Sequence, residues 1–139
     1  MLINNNFMKT QFLLTKAMSA ETLRHTVLTN NVANADTPYF KRSDVLFESE
    51  LKKALKEDSP VPFKAFRTNE KHFPFHQAKN YQLVEPKIHL EFETTFRNDK
   101  NNVDIDKEMV EVAKSTMRFN AFTSMMSRNF KKMNMLMRG

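Results

Sequence analysis

Residues 104–138 read DIDKEMVEVAKSTMRFNAFTSMMSRNFKKMNMLMR, and this stretch decides the fold. No proline or glycine interrupts it, and acids at its start and bases near its end complement a helix dipole. The spacing predicts one long helix with a coiled-coil-like stripe. Eight of the ten positions on that stripe, which we call the C-terminal seam, are apolar: Ile105, Met109, Val112, Thr116, Phe119, Thr123, Met126, Phe130, Met133 and Met137.

The length of this helix has a consequence for its packing. About 34 helical residues extend roughly 50 Å, whereas a compact domain of this chain length has a radius of gyration near 14 Å. A straight helix of that length must protrude. Its seam therefore needs another helix, from the same chain or from a second one.

A second helix is predicted over residues 7–35. Its apolar stripe has helical spacing and consists of Leu14, Met18, Leu28 and Val32. Glu21, Arg24 and His25 interrupt this stripe. The helix ends before Pro38, since a proline disfavours α geometry at the residue before it. The two terminal helices are each other's most plausible partners.

The predicted fold class is mainly α, with long terminal helices packed as a coiled-coil-like pair around a small irregular, β-containing middle. We expect one structural unit: residues 1–38 form the N-terminal helix and an Asn-rich corner, 39–103 the middle region, and 104–139 the C-terminal helix. Within the middle, spacing predicts a helix over 44–57. Alternation predicts a strand over 87–96, and residues 60–86 are expected to form a loop with at most a short strand.

Composition excludes several functional classes. The single glycine, Gly139, leaves no phosphate-binding or dinucleotide-binding loop. The absence of cysteine excludes disulfides and thiolate zinc sites. No apolar run reaches the roughly 20 residues of a bilayer span. The N-terminus lacks the basic start and apolar core of a cleavable signal peptide.

The net charge of +6 resides entirely in residues 112–139, which carry six basic and no acidic side chains. A basic segment can bind phosphates, so a small nucleic-acid-binding protein is the alternative function. Its aromatic residues Phe119 and Phe130, however, lie on the seam, where they are better explained by packing than by base stacking. Met125 interrupts the basic outward side and so disfavours a helix lying on a membrane. Together with Ala121 and Leu136 it indicates apolar contacts on more than one side, which favours a helix buried in an assembly over one buried within its own chain.

The sequence contains no convincing pattern for a metal-binding or catalytic site. His72 and His76 have a helical ligand spacing, but Pro74 lies between them and no third ligand is near. The stretch from Asp99 resembles a calcium loop only briefly and departs from that template at three positions. No nucleophile–base pair is suggested. We expect no enzymatic activity, no cofactor and no metal.

Two motifs carry a family resemblance. The first resembles the A-N-N-x-A-N-x-x-T-P-G-Y signature of flagellar rod and hook proteins, and it is matched here by Asn30, Asn31, Ala33, Asn34, Thr37 and Pro38. The second resembles the R-N-D-G-N-N-V-D-I-D-x-E-M block before the C-terminal helix of the proximal rod proteins. Its matching residues are Arg97, Asn98, Asp99, Asn101, Asn102, Val103, Asp104, Ile105 and Asp106. Arg67, Thr68 and His72 also resemble part of that family's middle region.

The resemblance implies a structural subunit of the proximal rod of the bacterial flagellar basal body. Such subunits assemble through their terminal helices into a helical tube that transmits torque. The implied partners are other copies of the chain, the adaptor FliE, FlgC and other rod proteins, and the flagellar export apparatus. It further implies a periplasmic rod exported without a cleaved signal, with no enzymatic activity or cofactor.

Both motifs normally contain a glycine where this chain has Tyr39 and Lys100. We expect either turns without positive φ or a left-handed conformation at a neighbour such as Asn101. Asn30, Asn31 and Asn34 are expected to bond backbone groups where the helix ends, and Pro38 to set the exit direction.

Overall fold

The computed structural model describes residues 2–57, 69, 81–92 and 98–138. In chain order its elements are helix α1 (Leu2–Ala33), strand β1 (Ser43–Leu46), helix α2 (Glu48–Glu57), a 3₁₀ turn (Tyr81–Leu83), strand β2 (Lys87–Leu90) and helix α3 (Ile105–Arg138). Strands β1 and β2 pair in a two-stranded sheet. The predicted fold class, mainly α with a small β-containing middle, is confirmed.

The terminal helices α1 and α3 pack against each other and run antiparallel. Asn31 near the end of α1 bonds to Glu108 near the start of α3, and Glu21 bonds to Ser115 further along. The buried apolar side chains that α1 contributes are Leu14, Ala20, Val27 and Leu28. Val45 of β1 and Val103 before α3 are also buried. These residues place the core of the helix pair toward the end where α1 stops and α3 begins.

The chain divides into two compact units, residues 1–45 with 86–139 and residues 46–85. In the second unit, α2 contacts the 3₁₀ turn. Among the described residues of this unit, Phe47, Ala54 and Val84 are the buried apolar ones. Because Phe47 accepts the Leu51 N–H bond at 2.9 Å, α2 begins directly after it.

Several element boundaries differ from the sequence predictions. The N-terminal helix begins at Leu2 rather than near residue 7 and ends at Ala33. The helix predicted over 44–57 is replaced at its start by β1, because the Asn31 side chain bonds both backbone groups of Ser43 and holds it extended. The predicted strand begins at Lys87 but ends at Leu90 rather than 96, and residues 93–97 lie outside the described part of the chain. None of the described helices contains an apolar stretch that could cross a bilayer.

Candidate assembly site

The end of α1 is fixed by Asn31, which is fully buried. Its amide nitrogen donates to the Ser43 carbonyl at 2.8 Å, and its side-chain oxygen accepts from the Ser43 N–H at 3.1 Å. The same nitrogen donates to the Glu108 carboxylate at 2.9 Å. One side chain thus satisfies both backbone groups of a residue 12 positions away and connects α1 to α3.

Asn101 performs the same task for the corner after α1. Its amide nitrogen lies 3.1 Å from the carbonyl oxygen of Asn34 and 2.9 Å from those of Ala35 and Thr37. Its side-chain oxygen accepts the Val103 N–H at 2.7 Å. Carbonyls at a helix end have no intrahelical donor. A buried asparagine from the second motif supplies that donor.

Asn102 connects the chain at Arg42, just before β1, with the chain at Glu91, just after β2. Its oxygen accepts the Arg42 N–H at 2.7 Å, and its nitrogen donates to the Glu91 carbonyl at 2.8 Å. The Glu91 N–H donates directly to the Arg42 carbonyl at 2.9 Å. We call the three buried amides, Asn31, Asn101 and Asn102, the asparagine cluster. Hydrogen bonds from these side chains to backbone groups join both motifs and the chain beside the sheet.

A charged group completes this region. The Arg42 guanidinium donates to the Glu108 carboxylate at 2.5 Å and to the Glu91 carboxylate at 3.1 Å. Burial lowers the pKa of Arg42, but the hydrogen bonds and negative charges of Glu108 and Glu91 more than reverse this, and its pKa lies above the ordinary value. Glu108 is 1% exposed. Its charge is buried only because Arg42 and Asn31 both donate to it.

The two positions that replace the expected glycines both adopt the left-handed conformation. Tyr39 has φ of 63° and Lys100 has φ of 61°. The expectation that these turns avoid positive φ or move it to Asn101 is therefore wrong. The turns touch: the Tyr39 N–H donates to the Asp99 carbonyl at 3.0 Å, and the Lys41 ammonium donates to the Lys100 carbonyl at 2.8 Å.

The remaining motif residues divide between local bonds and exposure. Asn34 donates back to the Asn30 carbonyl at 2.8 Å, as expected of residues at a helix end. Asp104 caps α3 by accepting the Lys107 N–H at 3.3 Å. Exposed positions include Ala33, Thr37, Pro38, Asn98, Ile105 and Asp106. Arg97, Arg67, Thr68 and the His72–His76 pair lie outside the described residues.

A second polar cluster, which the sequence did not predict, lies between the helices. Glu21 accepts from Ser115 at 2.8 Å and from Arg24, and Arg118 lies 3.8 Å from the same carboxylate. Glu21, Arg24 and Ser115 are buried. Glu21, one of the residues that interrupt the apolar stripe of α1, therefore faces α3, whereas Arg24 donates to Glu21 and, at 3.5 Å, to the Val45 carbonyl of β1. The sequence gives no local signal for this contact, because Ser115 lies 94 positions after Glu21.

The C-terminal seam does not form the face by which α3 packs on α1. That face is marked by the buried Glu108 and Ser115 and the half-buried Phe122, which are seven apart and lie roughly 60° around the helix from the seam's centre. Glu111 and Asn129 are half-buried as well. Met126 and Val112 are half-buried at its edge. Exposed seam residues include Ile105, Met109, Phe119, Phe130, Met133 and Met137. On α1, Leu14 and Leu28 are buried, and Met18 and Val32 half-buried.

Packing between the helices weakens away from the asparagine cluster. Beyond Ser115, no residue of α3 up to Arg138 is fully buried, and neither is any described side chain of α1 before Leu14. The Gln11 amide is enclosed without a hydrogen-bond partner. The far half of the pair thus combines exposed apolar side chains with an unsatisfied polar group. In the described part of the chain, no cluster of three potential metal ligands occurs.

Comparisons with known proteins agree with both motifs. A family model described as "Flagella basal body rod protein" matches residues 14–41. The chain is 36% identical to the flagellar basal body rod protein FlgB of Borrelia hermsii over 84% of its own length and 86% of that protein. It is 30% identical to FlgB of Bacillus subtilis strain 168 over 91% of each chain, and 32% identical to FlgB of Escherichia coli K12 over 89% and 90%.

These relatives span nearly the whole chain, including both motifs that meet in the asparagine cluster. The family is one of structural rod proteins and is not known for enzymes, and nothing in the comparisons supports the nucleic-acid-binding alternative. The chain therefore belongs to the FlgB family of flagellar basal body rod proteins, as a structural subunit of that rod.

Proposed function

We propose that this chain builds the proximal part of the rod by packing its exposed C-terminal seam against helices of neighbouring subunits, and that its role is structural rather than catalytic. The observation that carries the proposal is the exposure of Met109, Phe119 and Phe130 on a helix that already has an intramolecular partner. A monomer seldom leaves so long an apolar line in water.

The asparagine cluster has a separate task in this proposal. It fixes where α1 ends and α3 begins, so that the seam is presented in one orientation. Heterologous contacts between copies that do not close into a ring generate a helical tube. Such a tube can transmit torque because each subunit is held by neighbours on several sides.

Family membership also supports finer cellular proposals. We propose that the neighbours are other copies of this chain, the adaptor FliE, FlgC and further rod proteins. The location would be the periplasmic rod, reached through the flagellar export apparatus without a cleaved signal peptide. Weak packing in the far half of the helix pair suits this route, because a loosely held helix pair unfolds readily for passage.

The test is complementation of a deletion strain. Removing the gene should abolish flagella and motility, and the wild-type gene should restore both. Phe119→Asp should fail to restore them, since it places a charge in the seam at a position that the monomer leaves 36% exposed. Ser124→Asp adds the same charge at an exposed α3 position off the seam and should complement.

Normal flagella in the deletion strain would contradict the function itself. Met126→Asp provides a second seam variant, although Met126 is half-buried and the change also perturbs the helix pair. If both Phe119→Asp and Met126→Asp assemble normally, the register of the seam is wrong while the family assignment stands.

A further inference from the structure

The two edges of the small sheet differ in how their backbone groups are satisfied. The Glu91 N–H, just after β2, donates to the Arg42 carbonyl, just before β1, so the two strands run antiparallel. In such a pair, the backbone groups of alternate residues point away from the neighbouring strand. Counted from the Arg42–Glu91 pair, the residues whose groups point away are Ser43 and Val45 on β1 and Ile88 and Leu90 on β2.

The outer edge of β1 is closed by side chains. Asn31 bonds both backbone groups of Ser43. The Val45 N–H donates to the Asp44 carboxylate at 2.7 Å, and the Val45 carbonyl accepts from the Arg24 guanidinium at 3.5 Å. The outward backbone groups at both positions of this edge are therefore satisfied within the chain.

The outer edge of β2 has no such cover. Among the described residues, no hydrogen bond beyond the pairing with β1 involves Ile88 or Leu90. All residues of β2 are exposed. Ile88, Leu90 and Phe92 are between 48% and 67% exposed, and because alternate residues of a strand share a face, they form an apolar row beside the open edge. Such an edge is a template for a further strand, and a two-stranded sheet is marginally stable without one.

The charges along β2 indicate which strand fits this edge. Lys87 begins β2, and Glu91, whose side chain is 36% exposed, follows its end. When two copies of the strand run antiparallel about His89, Lys87 of each copy lies opposite Glu91 of the other. The same register pairs Ile88 with Leu90 of the other copy and uses all their outward backbone groups in about four hydrogen bonds. The strand is therefore complementary to itself.

From the open edge and this complementarity we propose that two copies of the chain pair through β2 about a two-fold axis, which joins their sheets into one of four strands. A two-fold contact uses the same surface on both copies and therefore closes. Because a closed pair cannot propagate into a tube, this contact belongs to chains outside the assembled rod. It involves few residues and is accordingly weak and reversible.

A single introduced thiol tests the register, because the sequence contains no cysteine. In the proposed pair, His89 lies opposite His89 of the other copy at a non-hydrogen-bonded position, where Cα atoms are about 4.5 Å apart. A disulfide spans about 4.4–6.8 Å between Cα atoms. Under diamide, purified His89→Cys should form a disulfide-linked dimer at least about tenfold faster than Leu83→Cys, a control at a 79% exposed position outside the sheet. Equal rates for the two variants overturn the proposal.

A charge on the apolar row tests the noncovalent contact. Sedimentation velocity of the Phe119→Asp chain, in which the seam is blocked, reports association through other surfaces. In this background, Leu90→Lys should weaken dimerisation at least about tenfold. Leu83→Lys makes the same change outside the sheet and should leave the dimer unchanged. A background chain that stays monomeric up to about 0.5 mM contradicts the contact, as does equal weakening by the two lysine variants.

A charge swap gives the decisive comparison. Lys87→Glu places acids opposite each other and Glu91→Lys places bases opposite each other, so each variant alone should dimerise at least about tenfold more weakly. In an equimolar mixture opposite charges meet at both positions, and dimerisation should recover to within about threefold of the background. Absence of recovery, with both variants folded by circular dichroism, overturns the proposal. Because Glu91 also bonds Arg42, unchanged dimerisation of Lys87→Glu overturns it if Glu91→Lys does not fold.

The β2 pair and the rod function fail separately. If His89→Cys forms a dimer no faster than Leu83→Cys while the wild-type gene restores motility to a deletion strain, only the β2 pair fails. If deletion of the gene leaves normal flagella, the rod function fails, whatever the purified chain does.

Discussion

Replacing Lys100 with glycine should stabilise the folded chain. Its φ of 61° lies in the left-handed region, which costs a residue with a Cβ about 1–2 kcal/mol. Glycine avoids that penalty but loses about 0.5–1 kcal/mol more backbone entropy on folding. The Lys41 bond to the carbonyl of residue 100 is retained, because it involves the backbone. The net gain should be about 0.5–1 kcal/mol.

The side chain that is lost contributes little to this balance. The Lys100 ammonium lies 6.0 Å from the centroid of the Tyr39 ring, and Tyr39 is 71% exposed. A cation–π contact at the limit of its range in water contributes at most a few tenths of a kcal/mol. Lys100→Ala removes the same contact but keeps the Cβ, and therefore isolates the backbone effect.

Urea unfolding followed by circular dichroism measures the change. Lys100→Gly should raise the free energy of unfolding by about 0.5–1 kcal/mol, which corresponds to roughly 2–5 °C in Tm for a chain of this size. Lys100→Ala should be neutral or slightly destabilising. Equal stabilities of the glycine and alanine variants would refute the reasoning from backbone strain.

Three further measurements test other parts of the structure. Asn101→Ala should lower the free energy of unfolding by about 3 kcal/mol in urea titration, because it removes a buried amide that donates to carbonyls of the corner. Asn98→Ala, at an exposed neighbour, should change it by less than about 0.5 kcal/mol; similar losses would remove the special role of Asn101. Hydrogen bonds from Lys107 and Lys114 hold the pKa of Asp104 and the pKa of Glu111, respectively, below their ordinary values. Unfolding returns both pKa values to normal, so the unfolded chain binds protons more tightly than the folded chain. Stability should accordingly fall as the pH drops below about 4, and less so in Lys107→Gln/Lys114→Gln; an unchanged acid titration in that variant would show that the pairs do not matter. The purified monomer should show much less helix by circular dichroism than the assembled form, because the far half of the helix pair is weakly packed; a fully helical monomer with one cooperative transition would contradict this.

The elements with regular apolar spacing were predictable from sequence, and those held by long-range polar contacts were not. Periodicity placed α3 within one residue of its start, because an uninterrupted helical pattern dominates 34 residues. Strand β1 was missed, because its extended conformation depends on Asn31, which lies 12 positions before Ser43. No local pattern reports that contact.

The face by which α3 packs on α1 was predicted wrongly for a related reason. An apolar stripe is the usual sign of a packed face, but α1 and α3 also meet through two polar contacts, Glu21 with Ser115 and Asn31 with Glu108. Buried charges of this kind are recognised only with their partners. The apolar seam of α3, which its spacing predicted to pack on α1, is thereby left largely exposed.

A density map of the basal body that resolves this chain would decide whether the seam is an assembly surface. We predict continuous helices over residues 2–33 and 105–138, with Met109, Phe119 and Phe130 buried against helices of neighbouring subunits. A map in which these three side chains face solvent, or in which the chain is absent from the rod, would contradict the account.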